Sequence, residues 1–315
     1  MKVTVKVPAT AANLGPGFDC MGLAIPLYNT ITIEETVLPG TGVEINILSS
    51  KDSDNELFLE HIPKDENSLI YKAVELLYNS IGQTPGELKI TVQSKIPVAR
   101  GLGSSASVIV GGLIAANELL GRPADELALL SIAAEVEGHP DNVTPAITGG
   151  LVLTSWEDDG SVVYCKLNWP KDWGITVCVP DYELSTDISR SVLPKEVPMT
   201  DAVFNAQRTA MFVQACNTND AKLMKLALKD KLHQPYRMKL VPGLEKIIEK
   251  LRHEENVLGC VLSGAGPAIL IISLKNDLDR IKSVVRETLA DLNIKVDIFD
   301  THIAENGAEI ISNDE

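Results

Sequence analysis

A glycine-rich segment between an apolar strand and an apolar helix is the part of the sequence best suited to chemistry. It reads Pro97-Val98-Ala99-Arg100-Gly101-Leu102-Gly103-Ser104-Ser105-Ala106-Ser107. Glycines allow the backbone to approach a ligand closely, and the first turn of the helix leaves N–H groups unpaired at the positive end of the helix dipole. Serine hydroxyls at the helix start can cap those amides or bind Mg²⁺. The segment is therefore suited to binding an anion such as a phosphate group.

Two phosphate-binding motifs and one alternative without a ligand have to be weighed for this segment. A Walker loop requires GxxxxGK[ST], and the sequence contains no such string. Gly101, Gly103 and Ala106 satisfy the dinucleotide pattern G-x-G-x-x-G/A. That pattern also requires a second parallel strand after the helix, whereas a second helical segment, Pro123 to Glu137, follows here. A glycine-rich helix entry that binds nothing stays open on these residues alone.

Two further glycine-rich turns lie far from this segment in the sequence. Asn13-Leu14-Gly15-Pro16-Gly17-Phe18-Asp19 carries an amide and a carboxylate that can cap backbone groups or reach a polar ligand. Ser263-Gly264-Ala265-Gly266-Pro267 lies between two apolar segments and is at least as well explained as a hairpin turn. Neither turn predicts a ligand by itself.

Patterns of apolar residues predict the elements that must position these loops. In the first half of the chain, alternation predicts strands, and a spacing of three and four residues predicts helices. The predicted strands are 3–7, 29–34, 42–48 and 87–93, and the predicted helices are 68–81, 105–120 and 123–137. A polar segment, 138–143, follows the last of these helices. The first half is therefore expected to be mixed α and β.

The second half repeats strands and helices in a recognisable order. The predicted strands are 174–180, 257–262, 268–274 and 295–299, and the predicted helices are 201–216, 221–229, 243–253 and 278–292. With the extra helices set aside, the order is β-α-β-β-α-β, that of a ferredoxin-like unit. We therefore expect an α+β protein with two domains, residues 1–165 and 166–315. The acidic segment from Glu305 to Glu315 is expected to be a solvated tail.

Composition and charge exclude several functional classes. The chain has 315 residues, 45% of them hydrophobic, and a formal net charge of −15, which disfavours a sequence-independent grip on nucleic-acid phosphates. The longest apolar run, Val108 to Ala116, is far shorter than the roughly 20 residues that cross a bilayer. The N-terminus lacks the apolar region of a signal peptide. We expect a cytoplasmic protein that binds neither nucleic acid nor membranes.

Five scattered cysteines, none spaced as CxxC, argue against disulfides or a zinc site.

Three glycine-rich loops in this order and at these intervals carry a resemblance to a known family. The chain resembles the GHMP kinases over nearly its whole length, in the segments 7–19, 97–107, 137–142 and 263–267. The first segment is the most discriminating. Other GHMP kinases tend to have a basic residue just before the Asn-Leu pair, where this chain has Ala11.

The resemblance implies a fold, a reaction and an assembly. The implied GHMP kinase two-domain fold joins an N-terminal domain similar to domain 2 of ribosomal protein S5 to a ferredoxin-like C-terminal domain. The implied reaction transfers the γ-phosphoryl group of ATP, with Mg²⁺, to the side-chain hydroxyl of L-homoserine, on the route to threonine. The implied assembly is a homodimer.

The resemblance also assigns roles to single residues. Residues 97–107 correspond to the ATP phosphate-binding loop, and Ser105 with Glu137 to the pair that holds Mg²⁺, a cation that prefers oxygen ligands. The residues that correspond to acceptor contacts are Asn13, Asp19, His139, Asn142, Arg190 and Arg237. Catalytic roles fall to Asn142, Glu137 and Arg190. The ammonium group of an amino acid suits Asp19, and its carboxylate suits the arginines. The resemblance assigns no residues to the adenine pocket, for which Asn67, Ser68 and the strand near Gln93 are the candidates in the sequence.

Each of these side chains has a plainer explanation. Without the resemblance, Arg190 and Arg237 are expected to be surface arginines, and Glu137 an ordinary carboxylate at a helix end, against the helix dipole. His139 is as well explained as a structural or exposed histidine. Asn142 aligns with an aspartate of mevalonate-kinase-like relatives, so no obvious general base is expected here. Phosphoryl transfer has a loose transition state, so positioning and electrostatics can suffice.

Two other functions stay open on the sequence. One is a kinase for a different small alcohol, such as mevalonate or a sugar, although the segment 13–19 and the paired arginines favour an amino acid. The other is a catalytically silent protein of the same fold that binds a small ligand as a sensor. Intact Ser105 and Glu137 favour an enzyme over the sensor.

Overall fold

The computed structural model describes residues 1–39, 42–49, 62–275 and 278–314, and in these ranges helices pack around two β-sheets. The strands are β1 (Lys2–Ala12), β2 (Met21–Pro39), β3 (Val43–Ser49), β4 (Gly86–Ser94), β5 (Leu151–Trp156), β6 (Val162–Leu167), β7 (Trp173–Pro180), β8 (Val257–Leu262), β9 (Ile269–Leu274), β10 (Val296–Thr301) and β11 (Glu309–Asp314). The helices are α1 (Leu69–Ser80), α2 (Ser104–Leu119), α3 (Glu126–Glu137), α4 (Pro140–Thr148), α5 (Thr186–Ser191), α6 (Met199–Thr218), α7 (Ala221–Ala227), α8 (Gln234–Arg237), α9 (Leu244–Leu251) and α10 (Leu278–Ala290). No helix within these ranges is long and apolar enough to cross a membrane.

The first sheet has seven strands and leads into two of the glycine-rich loops. Its main order is β11-β1-β2-β4-β3, and β5 pairs with both β2 and β6. Alternation decides which face of β1 is buried, since Val3, Val5 and Val7 have no exposed surface. The chain leaves β1 directly into the turn 13–19 and leaves β4 into the segment 97–104. The sheet therefore sets the position of both loops.

A layer of helices covers one face of this sheet, and α2 lies at its centre. α2 contacts β1, β2 and the helices α1, α3 and α4. Ile109, Val110 and Leu113 of α2 are completely buried, and burying a side chain of this size contributes roughly 1.5–3 kcal/mol. Because α2 is packed along its whole length, its N-terminus has a fixed place next to the glycine-rich segment.

The second sheet has the order β10-β7-β9-β8, with every neighbouring pair antiparallel. Counted within the second half, this is the order 4-1-3-2, so the predicted β-α-β-β-α-β arrangement is confirmed. Leu244 and Ile247 of α9 and Ile281 of α10 belong to the apolar cluster on one face. The other face packs on α6 and α7.

One apolar cluster joins the two halves beside the glycine-rich loops. It contains Leu14 and Leu102 from the first half and Val177, Phe212 and Val261 from the second, all of them at most 1% exposed. The loops 13–19 and 97–104 are therefore anchored in a core to which both halves contribute.

The structure corrects the expectation for the acidic segment near the C-terminal end. The expected solvated tail is wrong for residues 309–314, because this segment forms β11 and pairs antiparallel with β1. The polar segment 138–143 includes the first turn of α4, which begins at Pro140 and contains Asp141. The expected division between residues 165 and 166 falls inside β6, which stays paired with β5 as far as Leu167. That division stays a prediction.

Candidate active site

The glycine-rich segment 97–104 forms a tight loop that ends at the first turn of α2. Gly101 and Gly103 have φ angles of 76° and 65°, in the left-handed region that favours glycine. A Cβ atom on Gly101 would lie 2.2 Å from the carbonyl oxygen of Ser263, and one on Gly103 would lie 1.9 Å from Thr10 Oγ1. Both positions therefore require glycine, for the backbone conformation and for the close approach of the neighbouring segments.

Hydrogen bonds from three other residues hold this loop. The backbone N–H of Thr10 donates to the carbonyl of Leu102 at 3.1 Å, and that of Ala268 donates to the carbonyl of Arg100 at 3.1 Å. The hydroxyl of Ser263 donates to the carbonyl of Gly101 at 2.6 Å. Because these carbonyls bond to neighbouring segments, the loop is rigid before any ligand arrives.

Ser105 and Glu137 form the oxygen pair that the sequence predicts as a Mg²⁺ site. The Ser105 hydroxyl donates a hydrogen bond to the carboxylate of Glu137, the last residue of α3. Burial raises the pKa of Glu137, while His139, the Ser105 hydroxyl and Arg190 act in the opposite direction. No group of three or more His, Cys, Asp or Glu among the described residues could enclose a metal ion. Mg²⁺ commonly takes one or two carboxylates and completes its shell with phosphates and water, so this pair fits a cation shared with a nucleotide.

A single cavity of about 520 Å³ brings most of the predicted site residues together. Its lining includes these predicted residues: Asn13, Asp19, the loop from Pro97 to Ser105, Glu137, His139, Asn142, Arg190 and Arg237. Ala106 and Ser107 are buried inside α2 and are not among the lining residues. Asn67 and Ser68 line the same cavity with apolar side chains of β3, β4 and α2, such as Ile45, Val92 and Val108. The cavity thus combines an apolar region with a charged one.

Asp19 and Arg190 form an ion pair inside this cavity. The Arg190 guanidinium donates two hydrogen bonds, at 2.8 and 3.1 Å, to the two oxygens of the Asp19 carboxylate. Each side chain remains about one-third exposed, at 35% for Asp19 and 36% for Arg190. Burial opposes the charge of Arg190, but Asp19, together with Asp141 and Glu137, more than offsets this, so the pKa of Arg190 is raised. The two groups predicted to bind opposite ends of an amino acid therefore bind each other in this structure.

Arg237 is a buried cation, in contrast to the surface arginine expected without the family resemblance. Its side chain is 2% exposed, and its Nε and Nη1 donate to the carbonyls of Ser189 and Gly264, each at 3.2 Å. Burial and the nearby charge of Arg190 lower the pKa of Arg237 to about 10, so it is charged at neutral pH. Two positive side chains therefore face one cavity.

The two predicted asparagines have much of their hydrogen bonding committed to the protein. Asn13 donates to the carbonyl of Gly264 at 2.9 Å and accepts from the backbone N–H of Asp19 at 3.0 Å. It thereby links two of the glycine-rich loops. The side-chain oxygen of Asn142 accepts from the Thr10 hydroxyl at 2.8 Å. This leaves the Asn142 amide nitrogen, which is a donor, as its group for a ligand.

His139 and Asp141 form a hydrogen-bonded pair at the start of α4. Nδ1 of His139 lies 2.7 Å from Asp141 Oδ1, and Asp141 is almost completely buried. Burial alone would lower the pKa of His139, but the hydrogen bond and charge of Asp141, together with Glu137, raise it. One oxygen of the Asp141 carboxylate is therefore bonded to His139, and Asp141 also lines the cavity.

Three contributions were missed by sequence reasoning. Thr10 bonds both to the glycine-rich loop and to Asn142, and Ser263 bonds to the same loop. Neither residue was given a role from the sequence, although both lie in segments that carry the family resemblance. Phe18 lies near both arginines, with its ring centre 5.6 Å from the Arg190 guanidinium and 5.2 Å from that of Arg237. The guanidinium of Arg100, predicted among the phosphate-binding residues, lies 3.6 Å from Asp181. The negative charge of Asp181 therefore offsets part of the positive charge of Arg100.

Comparisons with known proteins point to a single family. The family model described as GHMP kinases N terminal domain matches residues 68–150, and that described as GHMP kinases C terminal matches residues 212–291. The chain is 42% identical over 312 residues to a homoserine kinase of Caldicellulosiruptor saccharolyticus, covering 98% of this chain and 97% of that protein. It is 42% identical over 311 residues to a homoserine kinase of Clostridium botulinum, covering 98% of each. The crystal structure of homoserine kinase from Cytophaga hutchinsonii has a TM-score of 0.86 at 28% identity, covering 98% of this chain and 97% of that one.

Proposed function

Since this chain belongs to the GHMP kinase family, and within it to the homoserine kinases, we propose that its cavity binds ATP beside L-homoserine. The reaction is transfer of the γ-phosphoryl group of ATP to the hydroxyl of L-homoserine, which gives O-phospho-L-homoserine. One observation carries the assignment of the site. A glycine-rich loop at a helix N-terminus, an oxygen pair suited to Mg²⁺ and the charged residues Asp19, Arg190 and Arg237 all line one cavity.

The loop 97–104 and the first turn of α2 bind the phosphates of ATP in this proposal. Unpaired N–H groups and the positive end of the helix dipole favour an anion at this place. The Ser105 hydroxyl and the Glu137 carboxylate would hold Mg²⁺, which supplies positive charge to the phosphate oxygens when bound. The apolar lining near Asn67 and Ser68 would take the adenine ring.

The charged side of the cavity matches both charges of an amino acid. Asp19 can accept hydrogen bonds from the ammonium group, and Arg190 and Arg237 can donate to the carboxylate. Because Asp19 and Arg190 already pair with each other, the acceptor has to offer an opposite charge to each of them. An acceptor that carries only one charge would leave one partner of this pair uncompensated.

Catalysis in this site rests on positioning and electrostatics. Asn142 is held by Thr10 with its amide donor available, and one oxygen of Asp141 is bonded to His139. We therefore expect Asn142→Ala to lower kcat by about 10²-fold, the lower end of the range for losing one positioned donor. Thr10→Val, which removes only the bond that orients Asn142, should have a smaller effect of the same kind. Steady-state kinetics with both substrates in excess would measure this.

The same hypothesis predicts the behaviour of the neighbouring carboxylate. Asp141→Asn should reduce turnover without abolishing it, because Asp141 acts on His139 and not on the acceptor hydroxyl. An inactive Asp141→Asn protein that folds normally and binds both substrates would contradict catalysis without a general base.

Binding of ATP is expected to depend strongly on Mg²⁺. The net charge of −15 repels a nucleotide at long range, and the cation offsets charge on the phosphates as they enter the loop. Calorimetric titration with ATP should give a Kd at least about tenfold higher in EDTA than in Mg²⁺. Ser105→Ala should weaken the Mg²⁺-dependent binding, and the exposed Ser155→Ala should not. Equal affinity with and without Mg²⁺ would argue against the Ser105–Glu137 site.

The assay that tests the function measures ADP release with Mg-ATP and four acceptors. L-Homoserine should support turnover, whereas mevalonate, L-serine and galactose should not. ATP binding without turnover of any acceptor would instead favour a ligand sensor of the same fold. The homodimer implied by the resemblance and the cytoplasmic location expected from the sequence stay predictions, and light scattering of the purified protein tests the first.

A further inference from the structure

His233 is a fully buried histidine behind the charged side of the cavity, and its hydrogen bonds define its tautomer. Nε2 lies 2.8 Å from the carbonyl oxygen of Gly15 and 3.5 Å from Asp230 Oδ2, and both of these atoms are acceptors. Nδ1 lies 3.4 Å from Nη1 of Arg237, which can only donate. The ring therefore carries its proton on Nε2 and accepts through Nδ1.

The imidazole ring joins three parts of the acceptor site. It holds the carbonyl of Gly15 in the first glycine-rich turn and accepts from Arg237. It also stacks on Phe18, with ring centres 5.2 Å apart and planes inclined by 18°. The Arg237 guanidinium lies 5.2 Å from the same Phe18 ring. A change at His233 is therefore expected to affect Arg237 through their hydrogen bond and through their shared contact with Phe18.

A network of hydrogen bonds centred on Asp230 holds His233 in place. The buried Asp230 carboxylate accepts from the backbone N–H groups of Leu232, His233 and Gln234 at 2.6–3.0 Å. It also accepts from Asn205 Nδ2 at 2.7 Å, and the same nitrogen lies 3.1 Å from the carbonyl of Pro16. This network ties the start of α8 to the first glycine-rich turn, so the ring has little freedom to move.

The bonds of Arg237 show which of its nitrogens remains for an acceptor. Nε donates to Ser189, and Nη1 is shared between Gly264 and His233. Within the described part of the chain no hydrogen bond uses Nη2. Because Arg237 lines the cavity, Nη2 is the group it can offer to a carboxylate, and the direction of Nη2 depends on the bonds made by Nε and Nη1.

We propose that His233 is a positioning residue that orients the Arg237 guanidinium toward the carboxylate of the acceptor, and that it does so only as a neutral imidazole protonated on Nε2. The identity of the acceptor in this statement rests on the proposed function. His233 itself need not touch either substrate.

The charges around the ring keep it neutral at physiological pH. Burial lowers the pKa of His233, and Arg237 lowers it further, while Asp230, the Gly15 carbonyl and Asp19 act in the opposite direction. Protonation would put a hydrogen on Nδ1, where it would face Arg237 and remove the acceptor. Because the pKa is lowered in the folded state, this occurs only below the ordinary value of about 6.5. The KM for L-homoserine should therefore rise as the pH falls through the range below 6.5, while the KM for ATP does not follow it.

The test compares His233→Gln with His253→Gln, a change at an exposed histidine outside the site. Loss of the Nδ1 acceptor should raise the KM for L-homoserine about tenfold, as expected for one hydrogen bond to a charged group. The KM for ATP should stay within about twofold, and the low-pH rise in the KM for L-homoserine should disappear. His253→Gln should leave all of these values unchanged. If His233→Gln raises both KM values equally, or keeps the low-pH rise, the proposal is wrong.

A second measurement needs neither turnover nor a variant. Nitrogen NMR of the histidine side chains at neutral pH should show His233 protonated on Nε2 and unprotonated on Nδ1. A ring protonated on Nδ1, or on both nitrogens, at neutral pH would overturn the proposal even if the enzyme is active. Failure of the wild-type protein to use L-homoserine would count against the proposed function. The NMR result would still show independently whether His233 is protonated on Nε2 as proposed.

Discussion

Glu137→Gln is expected to lower kcat by roughly 10²–10³-fold, the range found when a key electrostatic group is removed from an active site. Glutamine keeps the shape of the side chain and an oxygen for the Ser105 hydroxyl, but it lacks the negative charge that Mg²⁺ requires. The KM for L-homoserine should change little, because the acceptor is bound by Asp19 and the arginines. Steady-state kinetics over a range of Mg²⁺ concentrations would show the loss and its partial recovery at high Mg²⁺.

The stability of the same variant separates a chemical role from a structural one. Burial disfavours the charged form of Glu137 in the folded protein. An amide of the same shape removes that cost, so the Tm of Glu137→Gln should be no lower than that of the wild type. Glu135→Gln is the matched control, because Glu135 is exposed on the same helix. A Glu137→Gln enzyme with kcat within tenfold of the wild type would rule out Glu137 as a Mg²⁺ ligand.

Gly101→Ala is expected to reduce kcat/KM for ATP by at least about 10²-fold, the scale of effect that a displacement near 1 Å has on a reacting group. The new methyl group would lie 2.2 Å from the Ser263 carbonyl oxygen and 3.0 Å from the backbone nitrogen and oxygen of Gly266. These are backbone atoms, which cannot turn away as the end of a side chain can. The loop must therefore move, and with it the amides that bind the phosphates.

Gly121→Ala provides the control for backbone strain. Gly121 has a φ of 78°, close to the 76° of Gly101, but a Cβ atom there would meet no atom within 4 Å. Both alanines carry the cost of a left-handed conformation, roughly 1–2 kcal/mol, and both should lower the Tm. Only Gly101→Ala should lower kcat/KM for ATP. Equal losses in the two variants would mean that strain, and not the position of the loop, explains the effect.

The parts of the fold that depend on local patterns were predictable from the sequence. Alternation in the strands and helical spacing in the second half gave the β-α-β-β-α-β order, and the observed sheet confirms it. The glycine-rich segment was recognisable because its requirements are local, namely positive φ at Gly101 and Gly103 and a helix that begins directly after them. These signals need no knowledge of what packs nearby.

Other features depend on partners that are distant in the sequence. The segment 309–314 is too acidic to read as a strand by itself, and it becomes one because β1 offers an unpaired edge. The burial of Arg237 depends on carbonyls of Ser189 and Gly264, which no spacing rule connects to it. The pairing of Asp19 with Arg190, 171 positions apart, was likewise beyond sequence reasoning. The residue types indicated that these side chains are charged, but their burial and pairing could be seen only in the folded structure.

The return of β11 to the first sheet also bears on how the protein is made. Lys2 in β1 pairs with Asp314 in β11, so β1 is synthesised long before the strand that covers its edge. During translation the N-terminal half therefore presents a strand with unpaired N–H and C=O groups, which is the kind of surface that recruits other strands and leads to aggregation. Loss of β11 by proteolysis would restore the same exposure in the folded protein.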